Sequence, residues 1–386
     1  MARPTSPEIV LNHRLAGHRH SCIRRTVAAA LLVSACFAGT AGAQLSSSVR
    51  SDPDTTSNNA AINQFVGDEV AALADPATVA GARAKLLAEL GGSPSPSDAF
   101  LRAYGSALAG PLNAAISGDN TLAKINAAIV LHEAATKSRS GDLLEPVLTA
   151  VKSDNQAIAI HGIRAAEGVL PVLLATMVRQ PDGVLLVEEL VSATERFSDE
   201  PAILLAVHES LQVGMVNGPQ GLNGSNELRA AVPLLVDGVL ELVEARLPEF
   251  VDGLPDTAEP ELTATMFLTD KDVVRNLGDR EQRVAQALAD LLVLAQKQNL
   301  IPENAAERGR INTLIDNVGG GFFPFSSFVA QPAKLNEARE SAKTLASNVR
   351  SQTPPSQVQP LVDALIGDLS TAYPDLRVPG ELPAGE

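Results

Sequence analysis

Tryptophan is absent from these 386 residues, tyrosine occurs only as Tyr104 and Tyr373, and aromatic side chains make up 3% of the chain. So few rings argue against a β-sandwich, whose strands are rich in aromatic and β-branched residues. They also leave little from which to build a sugar-stacking surface. Cysteine is confined to Cys22 and Cys36. Beyond Cys36 no disulfide can form, and thiol catalysis and cysteine-ligated zinc are excluded there. Beyond the first forty-odd residues only His132, His161 and His208 supply imidazole. In that same stretch no run is expected to be long and apolar enough to cross a bilayer, which takes about 20 residues.

What is present at the start reads as an export leader over residues 1–43. Arg3, Arg14, Arg19, Arg24 and Arg25 form a basic region, and Val27 to Val33 a short apolar one. Ala41-Gly42-Ala43 has the small-x-small form of a cleavage site, so the mature chain is expected to begin at Gln44. Two variants stay open. Val33-Ser34-Ala35-Cys36 has the form of a lipoprotein box in which Cys36 would be lipidated, and Arg24-Arg25 that of a twin-arginine signal. Either way the expected address is the periplasm or cell envelope, with any membrane contact made through the leader or a lipid anchor.

Five arginines and one acid leave with the leader, taking the formal charge from −15 to about −19. An acidic surface repels nucleic acid and anionic lipid, so nucleic-acid binding is not expected.

Residues 44–58 are rich in Ser, Asp, Thr and Asn and read as a flexible tether. From Ile62 onward the apolar residues fall at three- and four-residue steps, and Ala, Leu, Glu, Gln, Lys and Arg dominate, which together predict an all-α fold. Two stretches thirty-five residues apart match: Pro111 with Pro146, Ile116 with Val151, Asp119-Asn120 with Asp154-Asn155, and Ile125 with Ile160. A weaker copy runs from Leu190 through Pro201 to Leu211, and a degenerate one surrounds Asp75-Pro76. Each unit reads as helix, Asp-opened turn, helix, with the Asp side chain expected to cap the second helix.

This pattern resembles the HEAT-like repeats of α-solenoids over roughly residues 60–215, although Lys124 has Ala159 opposite it where such repeats carry a basic residue. The resemblance implies stacked hairpins sharing one core and a surface for a protein or peptide partner. An ordinary helical bundle is the alternative. The resulting division is repeats over 59–212, a Gly/Asn-rich linker over 213–225, a second helical region over 226–352, and a short helix with a disordered tail over 353–386.

No catalytic set, cofactor site or metal site is expected. His132-Glu133 and His208-Glu209 begin like a zinc-protease motif, but Thr136 and Gln212 stand where the second histidine belongs. Asp119-Asn120 and Asp154-Asn155 offer too few oxygens for calcium. The local feature that stands out is Gly319 to Phe328, read as a flexible loop holding Phe322, Phe323, Phe325 and Phe328. Exposed, these four rings would make a partner-binding patch; folded inward, they would plug one end of the core. The function expected is an exported, non-enzymatic scaffold that binds an unidentified protein or peptide. An envelope lipoprotein anchored at Cys36, and an unfamiliar enzyme or small-ligand binder with its pocket near 213–225, are the alternatives.

Overall fold

The computed structural model describes residues 44–212, 225–351 and 353–382, and among them every regular element is helical. The chain is all-α, as its periodicity predicts. The leader, with Cys36 and Ala43, lies outside the described residues; so do residues 213–224 and 383–386.

Fourteen helices of eight residues or more carry the architecture among the described residues. They are α1 (Asn59–Ala71), α2 (Val79–Ala88), α3 (Asp98–Ser117), α4 (Thr121–Ser138), α5 (Leu144–Val151), α6 (Gln156–Leu174) and α7 (Gln180–Arg196). There follow α8 (Pro201–Leu211), α9 (Val232–Asp252), α10 (Glu259–Leu268), α11 (Glu281–Leu300), α12 (Arg308–Phe328), α13 (Asn336–Arg350) and α14 (Pro355–Ala372). They pack in two rows. One row runs α1, α3, α5, α7, α9, α11, α14, each helix lying against the next; the other runs α2, α4, α6, α8, α10, α12, α13 in the same way. The last pair enters in reverse order, α13 extending the even row before α14 closes the odd one.

Hydrogen bonds stitch neighbours within a row. Arg83 donates to Asn126 Oδ1 at 2.8 Å between α2 and α4, Thr149 to Asn113 Oδ1 at 2.7 Å between α5 and α3, and Ser210 to the Ile163 carbonyl at 2.8 Å between α8 and α6. Between α9 and α11, Arg283 meets Glu244 at 2.8 Å, and Arg280, the residue just before α11, meets Asp237 of α9 at 2.9 Å. Where helices touch most closely the side chains shrink. A Cβ on Gly168 of α6 would stand 2.2 Å from the Ala135 carbonyl oxygen of α4, so glycine there lets two backbones meet.

The turn chemistry differs from expectation by one residue. Asn120 caps α4 by accepting from the Ala123 N–H, and Asn155 caps α6 by accepting from Ala157 and Ile158. Asn, like Asp, places an acceptor oxygen over the free N–H groups of a first turn; Asp119 and Asp154 lie just outside the caps.

Three further expectations change. Residues 44–58 are anchored to the fold: helix Ser47–Arg50 and the short 3-10 turn Thr55–Ser57 form, Leu45 N–H donates to Glu89 Oε1 at 3.1 Å, and Arg50 pairs with Glu89 at 3.4 Å. The 213–225 break divides nothing in the packing, because α7 lies on α9 and α8 on α10 across it, and Gln212 donates to the Thr263 carbonyl at 2.7 Å. From Leu45 on, the described residues form one compact unit. Finally, α6 is long and apolar enough by length and composition to cross a membrane. It is also a mid-row helix with Ile158, Ile163, Val169, Leu170 and Leu173 buried in the core, and a core helix of a water-soluble fold meets the same criterion.

Candidate partner-binding cleft

The glycine–phenylalanine segment is helix rather than loop: α12 runs unbroken through Gly319-Gly320-Gly321 and Pro324 to Phe328. A Cβ on Gly319 would stand 2.6 Å from Leu345 Cδ2 of α13, and one on Gly321 would stand 2.9 Å from Thr269 Cγ2 beyond α10. Glycine serves close approach here, and tertiary packing outweighs its helix penalty of about 1 kcal/mol.

Helical geometry then separates the four rings. Phe322 and Phe325, three residues apart, are both fully buried and meet edge to face with centroids 6.0 Å apart. They belong to the core and cannot form an exposed patch. Phe328 is half-buried, with the Arg275 guanidinium 4.8 Å from its ring centroid. Phe323 faces the other way and stays 45% exposed.

Phe323 opens onto a cleft of about 520 Å³ between α12 and α13, lined by Gly320 and Phe323 on one side and by Lys343, Ala346, Ser347, Arg350 and Ser351 on the other. The α13 residues recur at three- and four-residue steps, so they share one face. The floor is apolar, from Phe323, Ala346 and bare Gly320 backbone. The rim is basic, with Lys343 and Arg350 seven residues apart, or about 10 Å along the helix. Arg350 donates to Asp316 Oδ2 at 2.9 Å, a bond that raises the guanidinium pKa, while Asp316 Oδ1 is buried without a hydrogen-bond partner. Such a cleft can seat an apolar side chain on Phe323 and set a ligand carboxylate near Lys343 or Arg350. No signal in the sequence joins α12 to α13 at these positions, and Lys343 and Arg350 read there as ordinary surface charge.

The histidines are placed by the even row. His132 on α4 and His161 on α6 face each other with ring centroids 5.9 Å apart. Burial depresses both pKa values; Glu133 opposes this at His132, while at His161 the His132 ring adds to it. His208 on α8 is fully buried and stands apart from that pair in chemistry, since its charged neighbour is Arg246. Among the described residues no three His, Asp, Glu or Cys side chains gather as a metal-binding group.

A second, polar cavity of about 460 Å³ lies where the α7–α8 turn, at Ser198 and Asp199, meets the end of α9 and the loop to Thr257. Arg246 reaches its wall but is already tied to Glu261, to Glu249 at 3.2 Å and to the Thr257 carbonyl at 3.3 Å. Tyr104 presents no ring to solvent: it is buried and donates to the Leu86 carbonyl at 3.0 Å.

No protein-family model, no curated protein and no solved structure matches this chain.

Proposed function

We propose that this chain is an exported, non-enzymatic helical-repeat protein that binds a protein or peptide partner in the periplasm or cell envelope. The observation that carries the reading is the two-row packing of helix pairs, in which each pair lies chiefly on its neighbours. That is the arrangement HEAT-like α-solenoids use to present long rows of helix faces to a partner, and the cleft at Phe323 gives such a partner a place to dock. The analogy is one of fold, and fold alone assigns no chemistry. Export is supported by the leader sequence, in which Ala41-Gly42-Ala43 gives the expected cleavage point before Gln44. A mature N-terminus at Gln44 on sequencing is the expected result; a lipidated Cys36 would instead mark an anchored form.

The test is crosslinked co-purification from the native envelope, comparing the wild-type chain with Phe323→Ser and Lys343→Glu. One saturable partner, captured by the wild type and lost from both variants at unchanged melting temperature, is the expected result. Equal capture by all three forms would remove the cleft from the proposal, and no partner in any form would remove the scaffold reading.

A further inference from the structure

Residues 373–382 follow α14 without helical structure and lie along α11. Glu281 of α11 accepts from the Tyr373 hydroxyl, and four further α11 side chains meet residues 377–380, at Gln286, Asp290, Val293 and Lys297, a spacing that sets those four on one helix face. Arg377 N–H donates to Gln286 Oε1 at 2.8 Å, and Gly380 N–H donates to Asp290 Oδ1 at 2.7 Å. The Arg377 guanidinium meets Asp290 Oδ2 at 3.1 Å, and Lys297 donates to the Gly380 carbonyl at 3.3 Å. Gln286 also donates to Asp290 Oδ1 at 3.1 Å, so its amide links peptide and carboxylate.

The segment has a defined shape. Glu381 N–H donates to the Val378 carbonyl at 3.1 Å, closing a turn with Pro379 and Gly380 at its centre and Gly380 at φ +79°. Proline then glycine at positive φ is the signature of a type II turn. A Cβ on Gly380 would stand 2.7 Å from Val293 Cγ1. The site therefore selects glycine twice, by backbone angle and by contact.

A segment serving only to shield the core would bury apolar side chains. Tyr373 at its start does so, and Leu376 and Leu382 are partly buried against the core, but residues 377–380 between them leave Arg377 and Val378 exposed, Val378 at 63%, and cover a carboxylate, Asp290, that is fully buried. The contacts are those of recognition: main-chain groups and one guanidinium, read by polar side chains from a helix. A buried carboxylate stripped of these partners would be left uncompensated, so the site favours being filled by this chemistry from whatever source.

We propose that the Gln286–Asp290–Val293–Lys297 face of α11 is a binding site for an Arg-x-Pro-Gly turn, that residues 377–380 of the chain itself are its resident occupant, and that a peptide carrying the same turn takes their place in trans. A tethered occupant acts at roughly millimolar effective concentration, so the site is closed to weak competitors until the tether is loosened. The proposal does not depend on the cleft at Phe323.

The experiment uses the full chain. Arg377→Ala with Gly380→Ala opens the site by removing the guanidinium and forcing the Cβ into Val293. A fluorescent peptide of residues 373–382 is the probe, read by anisotropy, with circular dichroism and melting temperature followed in parallel. The expected result is saturable binding to the opened chain, at least about tenfold tighter than to wild type as the tethered competitor implies. Adding Asp290→Asn to the opened chain should weaken it at least tenfold, whereas Phe323→Ser should leave it unchanged. An opened chain that stays folded yet does not bind the peptide overturns the proposal, as does binding that ignores Asp290. Loss of helicity in the opened chain also overturns it, because the segment would then be an integral part of the fold.

Discussion

His208 Nδ1 is buried without a hydrogen-bond partner, where α8 meets the Arg246–Glu261 ion pair. Burial first, and the Arg246 charge second, push its pKa down to about 3. The unfolded chain takes up that proton near pH 6.5, so below this value the unfolded state binds more protons and stability falls as pH falls. The slope approaches about 1.4 kcal/mol per pH unit for one such group. His132 and His161 are shifted in the same direction and add to the slope, whereas Glu261, raised by burial, acts in the opposite sense as pH rises through its folded pKa. Comparing His208→Leu with wild type isolates the one term. Urea unfolding at pH 6.5, 5.5 and 5.0 should show the variant losing less stability per unit than wild type; parallel lines would mean His208 is protonated in the folded chain. The paired rings of α12 give a second contrast at this scale. Phe322→Ala should cost about 3–5 kcal/mol as a fully buried aromatic, and Phe323→Ser under about 1 kcal/mol as a half-exposed one. Similar losses for both would mean that Phe323 is also part of the core.

Between residue and molecule stands the helix terminus, where sequence and structure part by a single position. Asn155→Ala should destabilise by about 1 kcal/mol through loss of two accepted N–H bonds, while Asp154→Ala should change stability by less than about 0.5 kcal/mol. Thermal unfolding of the two variants decides it, and a larger loss at Asp154 would restore the expected cap. Asp and Asn are equally good caps, so their adjacency alone could not choose. The helices were legible because buried positions such as Leu108, Leu112 and Ile116 recur at helical spacing. Gly319 to Gly321 were not, because glycine marks both a loop and a close approach, and only the presence of Leu345 and Thr269 distinguishes them. Residues 44–58 and 373–382 read as disordered for a related reason. Their anchors combine hydrogen bonds to Glu89, Gln286 and Asp290 with apolar contacts at Leu45, Val49, Tyr373, Leu376 and Leu382, too few in either segment to set an apolar period. The cleft depends on α12 and α13 being neighbours, and the His132–His161 pair on α4 and α6 being neighbours, so both required the rows to be known first.

Across the whole molecule, two rows in which helices lie chiefly on their neighbours should, if they behave as a repeat array, fail locally, an outcome that would distinguish them from a bundle sharing one central core. Stability in such an array is close to a sum of each unit and its nearest contacts, so damage at one joint spreads to adjacent units and fades beyond them. Gly168 offers a clean place to apply the damage. A Cβ there meets the backbone of α4, with the Ala135 carbonyl oxygen at 2.2 Å and Thr136 N at 2.8 Å, and backbone cannot rotate away as a side chain can. Gly168→Ala should therefore cost about 1–3 kcal/mol through overpacking, more than the gain in helix propensity of up to about 1 kcal/mol. Native-state hydrogen exchange read by mass spectrometry locates the effect. Amides of α3 to α8 should lose protection, with the largest loss in α4 and α6, while those of α11, α12 and α13, several joints away along both rows, should exchange as in wild type. A uniform loss over all fourteen helices would mean that the chain opens as one cooperative block, and that the two rows act as a rigid body rather than as units that can yield one at a time.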